Sequence, residues 1–526
     1  MNKKFTRISA IALTGLLGVS ALVGCTPEEE KPWGDKIRID VSIYAGGFGT
    51  DWFVDLANEY NASQDKYYIN KLPDNKNDIY SISQKIVAGI KEADIFITNS
   101  CDFEDLKRQN KLIDLTEVYN TKHADEDTDV KGKVQNYELV QQTLGLDGKM
   151  YGLPYQKAMS GIVYDHDLFE SMGLLFEDNT TANGLTKGKD GVEGTYDDGL
   201  PVTYEDFKDL VDEIKTKQMI PFIISDKIET GLTEPVAEAL WAQYDGLTNY
   251  EISYSYNGTY TSPSTGVQTP ITPDTGYKLY SEGLMEGRVK AATFFEEMVL
   301  PSDNNYNDVT NTSGWSHTDA QGKFLMSHNT GKRVAMIFEG NWWENEAKPS
   351  FAADANANGS QWGYGKRDFR MMPLPSFDGE SAESAGKHYF QGSMGAVFAV
   401  KQDDAEREAG IIDFLKAYTK DSTLRNYTKR SGALLPYDYE FSNEEIAGFT
   451  PFTKNMIEIQ ASESTVLVDT QALMITGNRK PLRWDIRING QSAASLIATM
   501  RKGSVSEYAQ ALKDMYNSTN WATAII

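Results

Sequence analysis

Residues 339–343 (EGNWW) place a carboxylate, a primary amide and two indoles within one short stretch. Aromatic faces stack on the C–H faces of pyranose rings, and carboxylates and amides take sugar hydroxyls, so Glu339, Asn341, Trp342 and Trp343 suit that chemistry. Residues 334–338 read as a buried strand, which makes 339–343 the turn into the next helix. Trp342 is expected in a cleft, while Trp343 is divided between cleft and core. A second group, residues 190–199 (DGVEGTYDDG), carries several oxygen ligands on a tight turn. It lacks the spacing and terminal Glu of an EF-hand. Two accounts stay open: a structural calcium held by Asp190, Asp197 and Asp198, or Asx turns without metal. No other cofactor is expected.

Other chemistries find little support. Gly46-Gly47-Phe48-Gly49 follows a strand but lacks the phosphate-binding G-x-G-x-x-G and the P-loop lysine. There is no G-x-S-x-G, and the five histidines are never at paired zinc spacing. A formal charge of −25 argues against nucleic acid and against a direct anionic membrane partner. A neutral ligand fits that balance.

The positioning elements follow from hydrophobic pattern. Residues 36–44 alternate as a first strand, 51–64 form a helix, 67–72 a second strand, 79–90 a helix and 94–98 a third strand. Strand–helix–strand alternation implies parallel βαβ units, which bind ligands beyond the carboxyl ends of their strands. Tyr44, Asn99 and Ser100 stand at such ends. With 526 residues and 40% hydrophobic residues, the chain is long enough for two or three domains with sizeable cores.

The first 25 residues read as an export signal, with Lys3, Lys4 and Arg7 before the apolar run 8–23. The run ends in LVGC, which resembles the bacterial lipobox and makes Cys25 the lipidated residue. Residues 26–35 would be a tether. Cys101 is then the one remaining cysteine, so no intramolecular disulfide can form.

Residues 148–155 (GKMYGLPY) and 161–169 (GIVYDHDLF) combine backbone breakers with buried-looking segments, as where a chain passes between lobes. This run resembles the hinge crossing of the extracellular solute-binding proteins of carbohydrate ABC transporters, of the maltodextrin-binding type. Further matches follow in order: 93–96 (ADIF), 111–116 (KLIDLT), 201–207 (PVTYEDF), Phe324 with Gly331, Lys332, Ala335, Met336, Gly340 and Trp342, and 502–515. Residues 369–375 (FRMMPLP) and 431–436 (SGALLP) resemble the second and third crossings.

The resemblance implies an α/β fold of two lobes, the type II periplasmic-binding-protein fold. Each lobe would be a mainly parallel sheet flanked by helices, with a ligand cleft between them. The N-terminal lobe would comprise 36–155 and 373–432, and the C-terminal lobe 156–372 and 433–526. It implies an oligosaccharide ligand, membrane permease partners, a monomer, and no catalysis. Gly47 and Phe48 would face the cleft, joined by Tyr155, Trp241, Ser393, Arg479 and Trp484, the last divided between stacking and core. The Tyr-rich segment 250–265 is read either as a sugar platform or as a surface hairpin packing its own rings. A secreted glycoside hydrolase and a surface carbohydrate-binding adhesin are the competing functions.

Overall fold

The computed structural model describes residues 32–75, 78–225, 229–306, 314–477, 486–488 and 495–524. Cys25 and its leader, Arg479 and Trp484 lie outside the described residues.

Nine strands make one mixed sheet. They are β1 (Ile37–Ile43), β2 (Tyr67–Lys71), β3 (Ile95–Thr98), β4 (Leu153–Asp165), β5 (Ile220–Ile223), β6 (Val334–Gly340), β7 (Phe369–Met372), β8 (His388–Ala399) and β9 (Thr465–Asp469). Their order is β2-β1-β3-β8-β4-β6-β5, with β7 also beside β4 and β9 beside β8. β1 is parallel to both β2 and β3, as the helices Asp51–Ser63 and Ile79–Val87 between them require. β8 runs antiparallel to β3 and β4, and β4 antiparallel to β6 and β7.

The length of β4 and β8 shapes the molecule. Each starts in one apolar cluster and ends in another. Leu153, Tyr155 and Ala158 of β4 pack in the first lobe with Ile39, Val41 and Phe53, whereas Ile162 and Tyr164 pack in the second. Met394 and Ala396 of β8 belong to the first cluster, Tyr389 to the second. The sheets expected for separate lobes are therefore joined through two shared strands. In the second lobe both sheet faces are covered: Ile162 and Tyr164 point to one side and Val163 to the other, as the period of two demands.

A β-bulge marks the passage. Gly395 pairs with Tyr155 and Met394 with Lys157, which leaves Gln156 as the extra residue, at φ 47°. Gly395 sits so close to β3 that a Cβ would run into the Thr98 carbonyl oxygen. Pro154 is tolerated within β4 because β6 begins pairing only at Ser160, so the missing N–H falls on an open edge.

Two segments that resembled crossings lie elsewhere. Residues 369–375 include β7 and pack in the second lobe through Met371, Met372 and Leu374; the chain returns later, within β8. Ala433, Leu435 and Tyr437 still belong to the first lobe, and the third passage precedes the helix Pro451–Ala461, whose Phe452 and Met456 pack in the second. The Tyr-rich segment is no platform at the cavity, and it is a hairpin only in its second half. It forms the helix Leu247–Ser255 followed by the paired strands Gly258–Thr261 and Gln268–Ile271, and Tyr250, Tyr254, Tyr256 and Tyr260 are all buried. Tyr250 and Tyr254 cover the helix Glu229–Asp245, their rings 4.7 Å and 6.3 Å from that of Trp241. Among the described residues no helix is long and apolar enough to cross a membrane.

Candidate functional site

The carboxyl ends of β1 and β3 open onto a cavity of about 560 Å³ between the lobes, floored by the two shared strands. Tyr44, Gly47, Phe48 and Asn99 line it from the first lobe. Gln156 and Ser160 of β4, with Gln391 and Ser393 of β8, form the floor. The second lobe contributes Trp342, His317 and Glu346, and the helix Thr470–Thr476 adds Thr470 and Gln471. The volume falls within the range of small-molecule sites, and amides and hydroxyls predominate among the polar groups.

Trp342 is half-buried and touches both lobes. Its indole meets the Phe48 ring edge-on at 5.9 Å and covers Gly47 so closely that a Cβ there would lie 2.5 Å from Trp342 Cδ1. Asn345 Nδ2, one turn on, donates to the Gly47 carbonyl at 2.7 Å. Glu346 and His317 form a polar corner beside it, with His317 Nε2 3.2 Å from Glu346 Oε1. That contact raises the His317 pKa, against the opposing effect of partial burial. Gln321 Nε2 donates to Glu346 Oε2 at 2.8 Å and to Glu339 Oε1 at 3.0 Å.

Six of the expected site residues do not line this cavity. Glu339 is fully buried behind Glu346, and burial pushes its carboxyl up to about 8. Asn341 spends its amide on the backbone: Oδ1 accepts from Met159 N at 3.2 Å and Nδ2 donates to Lys157 O at 2.9 Å. It thereby ties β6 to β4. Trp343 turns into the core against Phe369, at 5.0 Å, and Phe452. Tyr155 lies on the opposite face of β4 from the cavity, stacked on Trp52 at 5.8 Å. Trp241 is enclosed by the tyrosine-rich segment, and its Nε1 donates to Asp245 Oδ2 at 2.6 Å. Ser100 Oγ accepts from Asp102 N at 3.2 Å in a local turn.

Several lining groups escaped the sequence reading. Gln156 adjoins Tyr155 and occupies the bulge, a feature with no sequence signature of its own. Ser160 lies four residues further along the same strand. Glu346, His317, Gln391, Thr470 and Gln471 come from segments whose convergence only the fold creates. Glu346 follows Trp342 by one helical turn, the spacing that could have drawn attention to it.

In the loop 190–198, Asp190 and Asp197 approach each other and are joined by His388 of β8. Asp198 is not part of this group; its Oδ2 accepts from Gly194 N at 2.7 Å and from Asn183. Asx turns are present as well: Asp190 Oδ1 accepts from Val192 N at 2.7 Å.

The model of the family described as bacterial extracellular solute-binding protein matches residues 55–445. The chain belongs to this family. Three solved structures share the fold of this solute-binding protein. The apo form of RafE from Streptococcus pneumoniae is 14% identical, covers 92% of this chain and 98% of its own, and has a TM-score of 0.58. A chitin oligosaccharide binding protein is 13% identical, with 94% and 100% covered and a TM-score of 0.57. RafE in complex with raffinose is 14% identical, with 91% and 100% covered and a TM-score of 0.55. No curated protein sequence matches the chain. For a solute-binding protein, a cavity bounded by both lobes and floored by the strands that join them is where a solute would be enclosed.

Proposed function

We propose that this solute-binding protein captures a neutral oligosaccharide between its lobes and delivers it to the membrane permease of an ABC importer. In this reading a lipid on Cys25 holds it to the outer face of the cytoplasmic membrane. The observation that carries the proposal is the cavity itself: Trp342 and Tyr44 offer aromatic faces among the amides of Asn99, Gln156, Gln391 and Gln471. Raffinose is bound by RafE and chitin oligosaccharides by another protein of the same fold.

A glycoside hydrolase ordinarily needs two carboxyl groups flanking the scissile bond. Glu346 is the one carboxylate among the described cavity-lining residues, and Glu339 is enclosed behind it. This supports binding without chemistry. Calorimetric titration with raffinose, malto-, xylo- and chito-oligosaccharides, followed by chromatography of the recovered sugar, tests the proposal. Saturable binding at one site with intact sugar is the expected result. Shortened products would support the hydrolase instead, and no heat with any of these sugars would count against the carbohydrate reading.

A further inference from the structure

We propose that Asp190, Asp197 and His388 bind one divalent cation of the zinc class, clipping the loop 190–198 to β8. Their ligand atoms all lie within 4.8 Å of one another, and among the described residues this is the one group of His, Cys, Asp and Glu so arranged. Ligands about 2.1 Å from a zinc ion lie about 3.4 Å apart in a tetrahedron, so modest closure of the group around an ion suffices. His388 Nε2 is already 3.0 Å from Asp197 Oδ2.

The independent observation is the state of His388. Its side chain is completely buried; Nδ1 has no polar partner, and Nε2 has only the Asp197 carboxylate, at 3.0 Å. An enclosed ring nitrogen without a partner is costly, and one facing two carboxylates at this range is placed as a metal ligand. The loop is built to hold the acids still. Thr195 Oγ1 donates to Asp197 Oδ1 at 2.7 Å and Asp190 N to Asp197 Oδ2 at 3.1 Å. Nearby cations are engaged elsewhere: Lys189 pairs with Glu380 at 3.2 Å and Arg370 with Asp368 at 2.7 Å. Asp190 and Asp197 thus share His388 as the partner within this group.

The ligand chemistry selects the ion. Calcium takes six to eight oxygens, whereas one imidazole and two carboxylates suit a borderline cation such as zinc. The site stands apart from the sugar reading, since none of its three residues lines the cavity.

The test is titration of the chelator-treated protein with zinc chloride and, separately, calcium chloride. One equivalent of zinc should bind, and the cobalt-loaded protein should show a visible absorption band from nitrogen ligation. His388→Gln and Asp197→Asn should each weaken zinc binding at least about tenfold and remove the cobalt band. Circular dichroism of His388→Gln checks that the variant is folded. Absence of stoichiometric zinc uptake by the unsubstituted protein would overturn the proposal, as would zinc binding unchanged in a folded His388→Gln protein. Calcium uptake indifferent to His388→Gln would overturn it as well.

Discussion

Neighbouring residues in this chain have opposite fates, and the reason is geometric. Trp342 and Trp343 have the same chemistry, but successive positions entering a helix point about 100° apart, so one faces the cavity and the other the core. Tyr155 and Gln156 divide in the same way on β4. Tyr155→Phe is accordingly expected to leave ligand affinity within about twofold of the unsubstituted protein, as measured by calorimetry. Glu339 allows a sharper test. Its folded carboxyl titrates at about 8 because burial disfavours the charge, whereas in the unfolded chain it ionises near the ordinary 4.5. Between those values the unfolded chain has released a proton that the folded protein keeps, so stability falls as pH rises from 4.5 to 8 and levels off above. Glu339→Gln removes this dependence. Its melting temperature relative to the unsubstituted protein should climb from pH 5 to pH 8 and then stay level in calorimetric scans.

At the scale of elements, the shared strands and the turn they face set the cavity. Ordinary strands and helices were legible because their apolar periods were clean: the strand pattern at 36–44 and the helix from Asp51 both match the structure. The extent of β4 and β8 was not, because a strand shared between two lobes shows no break in pattern where it passes from one core to the other. Burial of Trp241 was hidden for a related reason, since its cover comes from a later segment whose tyrosines suggested a surface. Close packing at the passage gives two expectations. Gly395→Ala should destabilise the protein by about 1–3 kcal/mol in denaturant titrations, because its Cβ would meet the rigid Thr98 carbonyl. Gly47→Ala should displace the Trp342 indole, lowering ligand affinity about tenfold while changing the melting temperature little, since both groups border the cavity.

The whole molecule joins two lobes by continuous strands, and a bulge with a left-handed Gln156 sits where those strands pass between cores. Contacts such as Asn345 to Gly47 reach from one lobe to the other beside the cavity. The family and fold were legible from the ordered motifs along the chain, whereas the site was legible only in part. Tyr44, Gly47, Phe48, Asn99, Trp342 and Ser393 reach the cavity, but the amide-rich floor arises from strands brought together by the fold. The central claim is that an oligosaccharide is held in this cavity against Trp342. The most direct measurement is the dissociation constant of the tightest-binding sugar for the unsubstituted protein and for Trp342→Ala, with Tyr155→Phe as the control. A rise of at least about tenfold in Trp342→Ala alone, equivalent to about 1.4 kcal/mol, is the result this account expects. Equal dissociation constants for the unsubstituted protein and Trp342→Ala would contradict it.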